Sequence, residues 1–337
     1  MKTKLSIMIP PTINGYQFYA YPLAIILNHK ETHPWFYSNY IQLAFDKDFY
    51  SPVPFCFYMY DYAINPWLNV QRLQRNIFDI TGQDIVDFVK NALDNQYYVY
   101  LNVDEYHIPE RSNFHKKHIS HDVLVYGYDL ENNTFDVLGF NDKTIFKNSK
   151  VRFSEFRHSF ASLDIIENNC HQIYLYQYNP HGTYSFNTEL VIETLEDYLF
   201  SRNTSKKVSM LTEEWDRHYG MDSYKQLNNY YQGLLNNDLY IDVKFTHILW
   251  EHKKVMGLRA KYMCDLGLIT EELVEAALKI EDQALVLRNL FIKYSMTHKK
   301  NIIFKMIEMT HSLQKEEEQL IKNIINQLKL SFTKSVR

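Results

Sequence analysis

The chain has 337 residues and a formal net charge of -4, enough for one large or two ordinary domains and without the basic excess that would point to a polyanion as partner. Its three cysteines, Cys56, Cys170 and Cys264, are widely spaced and form no Cys-x-x-Cys pair, which argues against a disulfide framework and against a cysteine zinc knuckle. No run approaches the ~20 apolar residues of a spanning helix. The apolar stretch at 5–9 is short and stops at Pro10-Pro11, unlike a secretory leader. The expectation is a cytoplasmic protein with neither nucleic acid nor membrane as partner.

In chain order, Tyr21-Pro22-Leu23-Ala24-Ile25-Ile26-Leu27 predicts a buried helix with proline in its first turn, where the missing N–H costs little. Residues 35–45 read as a second helix or a helix–strand transition. Phe55-Cys56-Phe57-Tyr58-Met59-Tyr60 has the β-propensity of a strand. Ile85, Phe88, Val89 and Leu93 share one face of a helix over 83–93. Residues 97–103 are near-continuously apolar, as in a central strand. Strands over 121–126 and 134–138 form a hairpin across Asp129-Leu130-Glu131-Asn132-Asn133. A short helix over 154–160, with Ser154 as N-cap, and a strand over 173–178 close this half. Beyond residue 185 there is no proline, and helices are predicted near 187–200, 222–236, 243–265, 270–295 and 299–328. Thr270-Glu271-Glu272-Leu273 marks one start, with acidic residues in the first turn. The tail from 331 is expected to fray.

Chemistry concentrates between Val103 and Asp142. His121 enters an apolar strand that closes on Gly127-Tyr128-Asp129, and the next strand runs out to Asn141-Asp142. That layout suits a general base held at a strand mouth, with Asn141 or Asp142 positioned to fix its tautomer. His115, His118 and His121 are spaced as on a helical face, but Ile119-Ser120 leads straight into strand and no Cys or Glu completes a zinc pattern. They are read as a solvated loop, with no metal and no other cofactor. Asp104-Glu105, at the end of a buried strand, would suit a cationic or amine-bearing ligand or simply mark the exit into solvent. In the helical half, His247, Glu251 and Lys254 share a helix face and are read as packing and contact residues. A nucleophile is missing. A thiolate activated by a helix N-terminus and a neighbouring histidine belongs within Gly15-Tyr16-Gln17-Phe18-Tyr19, where there is no cysteine. Cys56 lies in an aromatic strand, Cys170 beside His171, and Cys264 on a helix, none of them suited to the role.

The order of the Tyr21–Leu27 helix, Val103-Asp104-Glu105-Tyr106, His121-Asp122-Val123-Leu124-Val125-Tyr126-Gly127-Tyr128-Asp129 and Phe135-Asp136-Val137-Leu138-Gly139-Phe140-Asn141 resembles proteins with a butirosin biosynthesis protein H-like N-terminal domain, over roughly residues 10–180. That family is related to the C39 peptidases. The resemblance implies an α+β chain: a papain-like cysteine-peptidase-type domain with an antiparallel sheet over 1–182, an all-helical domain over 183–330, and a flexible tail over 331–337. It implies transfer of an acyl group from an acyl or peptidyl carrier protein, through a cysteine, to a small amine-bearing acceptor, in nonribosomal peptide or antibiotic biosynthesis. Carried over by residue, His121 would be the base, Asn141 or Asp142 the orienter, and Tyr16, Gln17, Phe18, Asp104 and Glu105 the substrate contacts. A homodimer is compatible with this reading. The family's Asp-Pro after the second strand is Gly139-Phe140 here, and its cysteine, near Phe18, is absent. The alternative is a non-catalytic scaffold or ligand-binding partner of the assembly line; a weaker one is a metal-dependent hydrolase on the histidine loop.

Overall fold

The computed structural model describes residues 2–168 and 170–335. It is a mixed α+β chain with an antiparallel sheet and a helical C-terminal region. The first elements are strand β1 (Lys2–Lys4), helices α1 (Gln17–Ile26) and α2 (His33–Asn39), and strands β2 (Leu43–Phe45), β3 (Phe55–Phe57) and β4 (Leu68–Gln74). Helices α3 (Arg75–Ile80) and α4 (Ile85–Asp94) lead to strands β5 (Tyr98–Asp104), β6 (Ser120–Asp129), β7 (Thr134–Phe140) and β8 (Phe146–Arg152), helix α5 (Phe153–Ala161) and strand β9 (Gln172–Tyr178). Then come α6 (Thr188–Leu199), β10 (His218–Tyr219), α7 (Asp222–Asn236), α8 (Lys244–Asp265), α9 (Glu271–Thr297) and α10 (Lys300–Ser335). No helix among the described residues is long and apolar enough to cross a membrane.

Two compact units divide the chain. One runs to His33 and resumes over Asp61–Tyr184; the other takes Pro34–Tyr60 and everything from Ser185. The expected break at 182/183 falls two residues before the end of the first unit, but the contiguous N-terminal domain does not hold, because 34–60 belongs with the helices. Its side chains explain the allegiance. Phe45 stacks on Phe245 of α8 at 5.4 Å, and His252 Nε2 lies 2.7 Å from the Ile41 carbonyl. The guanidinium of Arg259, fully buried, donates to the carbonyls of Tyr37 and Tyr40, placing a cation at the C-terminal end of α2, where the helix dipole favours it.

In the first unit, strands run in the order β4-β9-β5-β6-β7-β8, every pairing antiparallel. β6 serves two partners on its β5 side. Ser120 to Val125 pair with β5, and beyond a bulge between Val125 and Gly127 the strand pairs with β1. β5 is thus central, as its apolar run predicts. The β6–β7 turn is held by Asp129, whose Oδ1 accepts from the Glu131 and Asn132 amides at 3.1 and 3.3 Å.

Two local expectations are corrected. α1 begins at Gln17, so Pro22 is its sixth residue and lies inside the helix rather than in the first turn. α5 is capped at Arg152 rather than Ser154, with Glu155 Oε2 accepting from the Arg152 amide at 2.9 Å. α10 extends through Ser335; residues 336–337, the end of the tail expected to fray from 331, lie outside the described residues.

Candidate functional site

His121 is the second residue of β6, opposite Val103 of β5, and its side chain is 45% exposed. The N-terminus of α1 meets it there, and Gln17, the first helical residue, is only 5% exposed. The Gln17 Nε2 group donates to the Asp122 carbonyl at 2.8 Å and to Asp122 Oδ1 at 2.7 Å, and stands 3.2 Å from His121 Nδ1. Its Oε1 accepts from the Phe140 amide at 2.9 Å. Both Nε2 hydrogens are therefore committed to Asp122. A neutral His121 would then carry its proton on Nδ1, 3.2 Å from Asp122 Oδ1, with Nε2 as the acceptor. Glu105 Oε1 lies 3.7 Å from the same Nδ1, while Asn113 holds Glu105 Oε2 at 2.6 Å.

Beneath this cluster, Tyr21 ties the two strands together, its hydroxyl within 3.1 Å of the Asp122 carbonyl and 3.2 Å of that of Leu138. Burial, with the Asp122 charge second, pushes the Tyr21 phenol well above its usual range, so it stays a neutral donor. Arg111, buried, donates to the Phe140 carbonyl. A Cβ at Gly139 would stand 2.7 Å from Arg111 Nη1 and 2.9 Å from Gln17 Oε1. Glycine at 139 is therefore a packing requirement of the Arg111 and Gln17 side chains.

The structure brings together His121, Gln17 and Glu105 among the residues singled out from sequence. Asn141 is elsewhere in its hydrogen bonding: its Oδ1 accepts from the Lys143 and Ile145 amides at 3.0 and 2.8 Å and holds a turn. The Asp142 amide donates to the Glu110 carbonyl at 2.8 Å. Among the described residues no hydrogen bond joins either side chain to His121; Asp122 and Gln17 orient the imidazole. Tyr16 and Phe18 stack at 5.2 Å, and Phe18 also packs on Tyr19 and Tyr62 at 4.4 and 5.2 Å. Aromatic side chains thus occupy the start of α1.

Asp104 faces away from Glu105's partner. Its fully buried carboxylate takes His118 Nδ1 at 2.6 Å, Ser162 Oγ at 2.9 Å, and the amides of Tyr106 and Ile119 at 3.1 and 3.2 Å. Burial alone would raise its pKa; the His118, Tyr106 and Ser162 hydrogen bonds and the His118 charge outweigh it and hold the carboxyl below its usual range. The three histidines of the loop part company: His118 goes to Asp104, His121 to Gln17 and Asp122, and His115 stacks on Tyr106 at 5.5 Å. His107, which the sequence reading passed over, joins His118 and Asp104 as a set able to hold a metal. Only its position three residues after a strand-end aspartate could have signalled it.

The cysteines leave the nucleophile missing. Cys56 and Cys264 belong to the second unit. The Cys170 thiol is pushed up by burial, and further by the Asp122 charge, the reverse of thiolate activation. Two clefts in the first unit, about 570 and 630 Å3, are lined by residues including Tyr126 and Asn148 in one and His29 and Tyr178 in the other, and neither is lined by Gln17 or His121. In comparison with protein-family models and with curated proteins, the chain matches none.

Proposed function

We propose that this chain is a papain-like, butirosin H-like protein that has exchanged acyl transfer for binding, and that it engages an acyl or peptidyl carrier protein and its amine-bearing cargo in a secondary-metabolite assembly line. The observation that carries the reading is Gln17. Acyl transfer through a covalent intermediate needs a nucleophile where a helix N-terminus faces the base. Here that place is taken by a buried carboxamide bonded to Asp122 and Phe140 and in contact with His121. A carboxamide has no lone pair nucleophilic enough to attack a thioester.

What remains suits recognition. The half-exposed His121 can accept from an N–H through Nε2, and the Glu105 and Asp122 carboxylates beside it favour a cationic amine. Of the aromatic group at the start of α1, Tyr16 and Tyr19 are buried, and the half-buried Phe18 and Tyr62 are the members that can meet a carrier's acyl chain. In the test, the protein is mixed with acyl-loaded and aminoacyl-loaded carrier protein, and both complex formation and intact masses are followed. The reading predicts a complex with unchanged masses, weakened about 10-fold by His121→Ala, the worth of one charge-assisted hydrogen bond. An acyl adduct on the chain, or release of an amide product, would overturn it in favour of a working transferase.

A further inference from the structure

The 105–119 loop carries a second constellation, independent of the carrier-binding reading. Asp104 ends β5, His107 closes the single helical turn Glu105–His107, and His118 lies two residues before β6. One ligand atom from each comes within 4.8 Å of the other two. Asp104 Oδ2 is 2.6 Å from His118 Nδ1 and 3.9 Å from His107 Nε2. We propose that Asp104, His107 and His118 form a binding site for a zinc-class divalent transition-metal ion.

The donor set decides the class of ion. Two imidazoles with one carboxylate suit zinc and its first-row neighbours, whereas magnesium and calcium require oxygen ligands. Tetrahedral coordination with bonds of ~2.1 Å separates ligand atoms by roughly 3.4 Å. The His118–Asp104 pair, 2.6 Å apart, must open by about 0.8 Å, the His107–Asp104 pair, 3.9 Å apart, must shorten by about 0.5 Å, and the His107–His118 pair, within 4.8 Å, must shorten by no more than about 1.4 Å. Both histidines have the freedom for it, with side chains 26% and 48% exposed, while Asp104 is fixed.

Two further features separate this cluster from a simple ion pair. One imidazolium is enough to balance one carboxylate, yet two imidazoles converge on the same oxygen, Oδ2. The carboxylate is also pre-oriented as metal ligands are. Tyr106 and Ile119 amides hold Oδ1, Ser162 Oγ holds Oδ2, and the Tyr106 ring lies flat on His118 at 4.2 Å and 18°. Three protein ligands would leave at least one coordination position for water. Because Glu105 directly follows Asp104, an ion here would also fix the loop that sets Glu105 beside His121.

The test uses the full chain stripped with chelator and titrated with Zn2+ by calorimetry and with Co2+ as a spectroscopic stand-in. The expected result is one ion per chain with a visible Co2+ band. His107→Ala and His118→Ala should each weaken binding by about 10-fold or more, and Ser162→Ala by about 10-fold. His115→Ala and His121→Ala, in the same loop region but outside the set, should leave it unchanged. Absence of saturable binding by the unaltered chain would overturn the proposal. So would affinity that survives in the His107→Ala/His118→Ala double variant, or that falls equally with His115→Ala.

Discussion

Gln17 engages the Asp122 carbonyl, the Asp122 carboxylate and the Phe140 amide, and it touches His121. One side chain thereby joins α1 to the mouths of β6 and β7. Its identity was visible in the sequence, within the window where a thiol was sought, but its partners lie more than 100 residues away and no local pattern announces them. Nor does any local pattern announce Arg111 beside Phe140, 29 residues away. Asp84, placed inside the helix read over 83–93, instead stands just before α4. It caps α4, accepting from the Val86 and Asp87 amides at 2.9 and 3.3 Å, and is gripped by Arg157 Nε at 2.6 Å. The Arg157 hydrogen bond, ahead of its charge and the cap amides, holds the Asp84 carboxyl below its usual range. A depressed folded-state pKa means that the unfolded chain takes up the proton first as pH falls. Asp84→Ala should therefore cost about 1 kcal/mol at neutral pH. That difference should close as pH drops below about 3.9, as read by urea unfolding of both proteins across pH.

At the scale of elements, the helical half was legible because helical periodicity, the absence of proline and the Thr270-Glu271-Glu272 start all agree. α6 to α10 lie where that pattern puts them. Strands β4 and β8 were not legible. Leu68-Asn69-Val70-Gln71-Arg72-Leu73-Gln74 and Phe146-Lys147-Asn148-Ser149-Lys150-Val151-Arg152 are polar-rich because both are sheet edges, where one side needs no apolar cover. Nor did periodicity reveal the polar centre of the second unit. Lys253 of α8, fully buried, donates to Glu317 of α10 at 2.8 Å and to Tyr198 of α6 at 2.8 Å, while Glu317 accepts from Tyr198 and Tyr224 at 3.0 and 2.6 Å. His252 completes it. Burial first, then the Lys253 charge, pushes its pKa well down, so the neutral ring accepts from Lys253 through Nδ1. Lys253→Met would strand a buried carboxylate and should cost about 3–5 kcal/mol. Adding Glu317→Gln removes the orphaned charge while keeping an acceptor for the two tyrosines, and should restore part of that loss. Denaturant midpoints for the single and double variants measure both effects.

For the whole molecule, α+β class and a helical C-terminal region were readable from texture, whereas the excursion of 34–60 into the second unit was not. A segment of mixed propensity gives no sign of which core it joins until Phe45, Tyr40 and Ile41 meet α8. In the function proposed, the first unit keeps the frame of an acyl-transfer site and Gln17 takes the nucleophile's place. Intact-protein mass spectrometry of the unaltered chain and of Gln17→Cys, each incubated with an acyl-loaded carrier protein, tests that most directly. The account predicts no mass change in the unaltered chain. In Gln17→Cys it predicts gain of one acyl group with release of the carrier thiol, reduced by a second change, His121→Ala. Acylation of the unaltered chain, abolished by Cys170→Ala, would contradict it, as would a Gln17→Cys protein that folds normally and takes up no acyl group.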